Sequence, residues 1–198
     1  MSNVYAAPQT EVRPVMELEA SKHYIVSPKK FWILFMSTLG MYGVYWLYKH
    51  WLVYKTNTGE KLWPVARAIF SVFFTHKLFS AFSSSYKEST NEESQPLSKY
   101  ATCYVLLAIA DQICTKMSQK EVGSPMTDIL SLIFVPLMGL TFVKAQVVAN
   151  VAAGDELGES NDSLGVANWI WILIGALLWI LSAIGISTYF FPEFFELS

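Results

Sequence analysis

Three ionisable side chains fall inside apolar stretches, and they are the first places to look for chemistry. Asp111 lies in YVLLAIADQICTKM, and His76 and Lys77 lie in AIFSVFFTHKLFSAF. An ionisable group inside a membrane span is costly and tends to line a polar path, so Asp111 is the leading candidate for a proton or cation site. His76 and Lys77 are candidates to face the same interior. A buried charge requires a partner, and the apolar segments supply Asp111 as the acid, with Asp128 only at an edge. The competing expectation puts Asp111 near the end of its segment, within reach of water or Lys116, and places His76 and Lys77 on an interfacial side.

Other reactive spacings are missing from the sequence. His23, His50 and His76 stand apart, and neither a His-x-x-x-His nor a Cys-x-x-Cys pair offers metal-ligand spacing. There is no Gly-x-Ser-x-Gly elbow and no phosphate-binding glycine loop. Cys103 and Cys114 share a helical face but lie about 16 Å apart along the axis, too far for a disulfide. Both are expected as buried apolar side chains. Asp155, Glu156, Glu159 and Asp162 lack the alternating oxygen ligands and fixed glycine of an EF-hand, and read as a solvated loop. No catalytic residue, metal or cofactor is expected, and the chain is not expected to be an enzyme. A net charge of -2 without a basic stripe points away from nucleic acid.

The elements that carry these residues are apolar and long. The run Phe31–Trp51 holds eighteen uncharged residues from Phe31 to Tyr48, more than a soluble domain needs but suited to a bilayer core of roughly 30 Å. Tyr42, Tyr45, Trp46, Tyr48, Trp51 and Tyr54 load one end with rings that have apolar bodies and polar tips, as at a headgroup boundary. Hydrophobic residues make up 53% of the 198-residue chain and charged residues 15%, against about 25% charged in ordinary globular domains. The expected fold class is all-α, a helical multi-pass membrane bundle of four to five spans. A polar, flexible N-terminal tail (1–26) precedes a helical membrane domain (27–198).

Spans are expected near 29–52, 62–84, 99–117, 126–148 and 167–191. Ser27 and Pro28 suit a helix start. Gly40 and Gly43 permit close packing or a bend in the first span, and a fold-back there is the alternative to a full crossing. His76 and Lys77 leave 62–84 open to an interfacial reading. Pro136 and Gly139 should kink the fourth span, and its amphipathic tail KAQVVANVAAG is expected to leave the bilayer. The fifth is uncharged, with Gly175 and Ser182 on one face as candidates for helix packing.

The motif TLGMYGVYWLYKHW (Thr38–Trp51) resembles the signature of short bacterial inner-membrane proteins grouped as a domain of unknown function. The likeness continues at Pro64, Arg67, Ala68 and Phe70, and returns at Asn168-Trp169-Ile170-Trp171, Gly175 and Trp179. The resemblance implies a multi-pass protein of a bacterial inner membrane and carries no activity or catalytic residue.

Two functions follow as expectations. One is a non-enzymatic membrane protein that acts through contacts with itself, with lipid or with a membrane partner. The alternative is a small oligomeric transporter or channel that uses Asp111 and the kinked segment around Pro136. Lysine and arginine placement favours a cytoplasmic N-terminus. Five full spans give seven basic residues inside against five outside, and a fold-back of the first gives nine against three.

Overall fold

The computed structural model describes residues 22–194; most of the expected N-terminal tail, residues 1–21, lies outside the described residues. Among the described residues the chain is all-helical: α1 (Pro28–Ser37), α2 (Met41–Thr58), α3 (Pro64–Ile69), α4 (Ser71–Thr90), α5 (Leu97–Ser118), α6 (Met126–Ala152) and α7 (Val166–Phe190). Short 3-10 turns at Glu159–Asn161 and Pro192–Phe194 complete it.

The first apolar run is two helices rather than one. α1 starts where expected: the Ser27 side chain accepts the Lys30 N–H at 3.1 Å and Pro28 opens the first turn. It stops at Thr38, because Leu39 (φ 51°) and Gly40 (φ 83°) adopt left-handed backbone. Thr38 serves both helices. Its hydroxyl donates to the Leu34 carbonyl at 2.7 Å and accepts the Tyr42 N–H at 3.0 Å. α2 then returns along α1, so Phe31 meets Trp46 at 5.8 Å between ring centroids while Phe35 covers Gly43. A Cβ at Gly43 would lie 2.9 Å from the Phe35 ring and 3.0 Å from the Phe142 ring. Glycine is what lets the hairpin close.

The second expected segment is also divided. Phe70 joins α3 to α4 with a non-helical φ of -91° and ψ of 40°. The remaining three helices are continuous. α5 and α6 run antiparallel, joined at one end by a hydrogen bond from Ser118 to Asp128 and midway by Tyr104 against Phe142 at 4.6 Å. α4 runs parallel to α6, with Phe79 near Phe142 and the Ser89 hydroxyl on the Ala152 carbonyl at 3.0 Å. α1 lies across α6, where a Cβ at Gly139 would meet Trp32 at 2.9 Å and Phe35 at 3.0 Å. Pro136 lies inside α6 without ending it.

The core is an aromatic seam. Phe31, Phe35, Trp46, Trp51, Phe79, Phe82 and Phe142 are buried where α1, α2, α4 and α6 meet. α7 stands outside it. Its 25 residues include one buried position, Gly175, which presses on α1. The Trp179 indole N–H caps the same helix end by donating to the Met36 carbonyl at 2.8 Å.

These contacts give the molecule two ends. At the first, Lys22 pairs with Glu88 at 3.5 Å, Ser89 meets Ala152, and Lys30 donates to Asn161 at 2.7 Å. That gathers the start of the described chain, the 91–96 linker and the loop after α6. At the other end lie the 119–125 loop and the C-terminal turns of α7. At about 1.5 Å per residue, α5, α6 and α7 are roughly 33, 40 and 37 Å long and run the whole distance. α6 and α7 are the helices, among the described residues, that are long and apolar enough to cross a membrane. The expected bundle of four to five spans is not confirmed by length and apolarity alone.

Candidate functional site

Residues 22–26 belong to the packed body and not to the tail in which the sequence places them. They lie outside any helix, bending at 22–23 and leading into the extended Ser27, and His23, Tyr24 and Val26 are buried. Such a segment has carbonyls that no helix satisfies, so other groups must donate to them. Amide side chains do so. Asn57 donates to the Lys22 carbonyl at 3.0 Å, Gln146 to Tyr24 at 3.0 Å, Asn161 to Ile25 at 2.8 Å and Asn150 to Val26 at 3.0 Å. Gly158 must be glycine for the loop after α6 to close over this segment: its φ is +69°, and a Cβ would lie 2.7 Å from the Ser27 nitrogen.

Gln146 is the hub. Its nitrogen faces the Tyr24 carbonyl and, at 2.6 Å, the Asn150 side-chain oxygen, both acceptors. That fixes the amide so that its oxygen accepts from the Trp46 indole N–H and from His50 Nε2 at 3.0 Å. His50 must then carry its proton on Nε2, because the oxygen it faces has none to give. The His50 ring is 1% exposed and lies 4.7 Å from the Phe82 ring and 6.4 Å from the His23 ring. Burial, with the Lys22 charge adding to it, pulls the His23 pKa down to about 4. Two histidines that the sequence reads as isolated thus meet around one phenylalanine. Among the described residues no three His, Cys, Asp or Glu side chains are grouped to hold a metal.

The expected intramembrane charges do not meet. Lys77 reaches back to Glu60 at 2.8 Å, and the Tyr54 hydroxyl donates to the same carboxylate at 2.8 Å. These bonds hold the Glu60 carboxyl below its ordinary pKa. His76 is exposed and pairs with the Thr102 hydroxyl at 3.1 Å. Arg67 stacks over Trp51 at 4.5 Å and Phe74 at 5.2 Å. Asp111 is elsewhere, half-buried on α5, with the Ser131 hydroxyl of α6 as its neighbour.

Below Asp111, α7 stands off from α5 and α6 and leaves a cleft of about 340 Å³. Thr115, Ser118, Asp128, Ser131, Ser182 and Tyr189 line it with polar atoms. Ser182 therefore faces this cleft, whereas Gly175, its expected partner on the packing face, is the point of contact with α1. Cys103 is exposed on α5 and Cys114 half-buried, in place of the two buried thiols expected.

Sequence reasoning missed Gln146, Asn150 and Asn161. The signal was available: Gln146 and Asn150 stand four apart on an otherwise apolar helix, which stacks them on one face. An amphipathic helix end shows the same spacing, so the pair does not stand out from it.

No family model matches this chain, and neither a curated protein nor a solved structure matches it.

Proposed function

We propose that this chain is a non-enzymatic integral membrane protein, crossing the bilayer with α5, α6 and α7 and acting through contacts with itself, with lipid or with a membrane partner. The observation that carries this reading is the surface of α7. Trp169, Ile170, Leu173, Ile174, Leu177, Ile180, Leu181 and Ile184 are all exposed and form one broad apolar stripe along the helix, away from the Gly175 contact. Water tolerates single exposed apolar side chains but not a continuous apolar stripe, whereas lipid favours one. α1 and α2 then form a hairpin that enters the bilayer part-way and returns, with its backbone satisfied internally. The resemblance of Thr38–Lys49 to bacterial inner-membrane proteins supports the inner membrane as the location.

Alkaline carbonate extraction of membranes carrying the full chain tests the reading. Retention in the pellet is expected, and release with peripheral proteins contradicts it. Cross-linking in the same membranes reports whether the contacts are with further copies.

The cleft beside Asp111 supports the second reading, a small oligomeric transporter. A cleft lined by one acid, Asp128, and several hydroxyls, with Asp111 above it on α5, suits a cation or proton path, and Pro136 breaks the backbone ladder of the helix behind it. Under that reading Asp111→Asn abolishes flux in reconstituted vesicles while the protein stays folded.

A further inference from the structure

We propose that the corner between α2 and α3 binds the headgroup of an anionic phospholipid, whose acyl chains lie along the exposed face of α3 and the start of α4. The inference rests on the membrane reading above and goes beyond it in naming a lipid class and a place.

The corner is a cleft of about 460 Å³ between the last turns of α2 and the 59–63 loop. Its walls are amphiphilic. Leu52, Leu62 and Trp63 are apolar, and Lys55 and Lys61 bring two cationic heads to the mouth. Glu60 is an acid on the same wall, but Lys77 already neutralises it. Lys55 also sits in the last turn of α2, where its charge offsets the negative end of the helix. The corner is therefore net positive towards a ligand.

The apolar side is continuous with it. Trp63 is 80% exposed and Phe73 76%, and Val65, Ile69 and Phe70 are exposed between them. A tryptophan open to this degree beside lysines has the composition of a headgroup boundary, with the ring at the interface and aliphatic side chains deeper. Lysines at such a boundary extend their stems over apolar surface and place their charges among phosphates. Basic pockets at the cytoplasmic ends of membrane helices select anionic headgroups on this basis.

Native mass spectrometry of the full chain in detergent tests the proposal, with phosphatidylglycerol and phosphatidylcholine of identical acyl chains added at equal concentration. Each lysine near an anionic headgroup is worth about five-fold in affinity. The wild type should therefore retain phosphatidylglycerol over phosphatidylcholine by roughly ten-fold or more. Lys55→Gln with Lys61→Gln should bring that ratio close to one while the protein stays folded, since both side chains are exposed. Trp63→Ala should lower retention of both lipids. Equal retention by the wild type, or an undiminished ratio in the double variant, overturns the proposal. Displacement of the lipid by millimolar inorganic phosphate also overturns it, because the site would then take a free anion. Failure of the membrane reading would look different: carbonate would release the protein whatever its lipid preference.

Discussion

Gly175 of α7 lies directly on the backbone of Ser37 in α1. A Cβ at Gly175 would sit 1.9 Å from the Ser37 carbonyl oxygen and 3.0 Å from the Thr38 Cα. No side-chain rotation can relieve a clash with backbone, so the helices would have to part. Gly175→Leu is expected to cost about 3 kcal/mol or more and to lower the folded yield in detergent. Gly185 on the same helix has open space where its Cβ would be, so Gly185→Leu should leave yield and melting unchanged. Equal behaviour of the two variants would show that α7 does not dock through Gly175.

The hairpin turn makes a second prediction. Gly40 holds φ at +83°, and its Cβ would meet the Phe35 ring at 3.4 Å, an ordinary contact. Gly40→Ala should therefore cost only the left-handed backbone penalty, about 1–2 kcal/mol. Gly43→Val should cost more, because Phe35 and Phe142 occupy the space from two sides. Thermal melting in one detergent ranks the two, and a milder effect at Gly43 would contradict the packing described.

His23 sets an expected pH dependence. Its folded pKa is lowered to about 4 from an ordinary 6.5. The unfolded chain therefore takes up the proton first as the pH falls. Stability from the neutral ring is intact above about pH 6.5 and is lost on descending towards about pH 4, up to roughly 3 kcal/mol in total. His50, Lys22 and Lys49 surround the same segment, so the comparison is made with His23→Phe, which keeps an aromatic ring against Phe82. Melting temperatures at pH 7.5 and 5 should differ less in the variant than in the wild type. An identical difference would place the titration elsewhere.

Asp111 and Lys77 should behave independently. Lys77 is held by Glu60 and Asp111 neighbours Ser131, so no ion pair links them. Asp111→Asn keeps the shape and hydrogen-bonding capacity of the side chain and should shift stability by less than about 1 kcal/mol. Adding Lys77→Met should give an additive effect, with a coupling energy within about 0.5 kcal/mol of zero. A large coupling would restore the ion pair that the sequence suggested.

The sequence made the helical class legible, and several elements with it. The Ser27-Pro28 start, α6 and α7 lie within a few residues of where composition puts them, because caps and long apolar runs are local signals. The Gly40–Gly43 pair announced a bend, but the choice between crossing and returning depends on Phe35 and Phe142 packing over Gly43, a contact across a hundred residues. The amide grip on residues 22–26 was legible only as two amides on one face of α6; what they hold was not, for the same reason. Gln146, Asn150 and Asn161 are unremarkable until the chain places unpaired carbonyls beside them. Asp111 stood as a candidate partner for Lys77, beside the interfacial alternative, because the sequence shows which charges fall in apolar runs and not which helix ends approach. Glu60, seventeen residues before it, lies just outside the run.

The most direct test of the account is which side of the membrane each end of the bundle faces. Lys22, Lys29, Lys30, Lys49, Lys55, Lys61, Lys87, Lys99 and Lys144 lie towards the end that carries the 91–96 linker, whereas Lys116 and Lys120 lie at the other. Basic residues favour the cytoplasmic side. With Cys103 and Cys114 changed to serine, single cysteines at Ser94 and Glu121 can be labelled with a membrane-impermeant maleimide in intact spheroplasts. Glu121→Cys is expected to react at once and Ser94→Cys only after the membrane is permeabilised. Labelling of both from the same side would contradict this orientation.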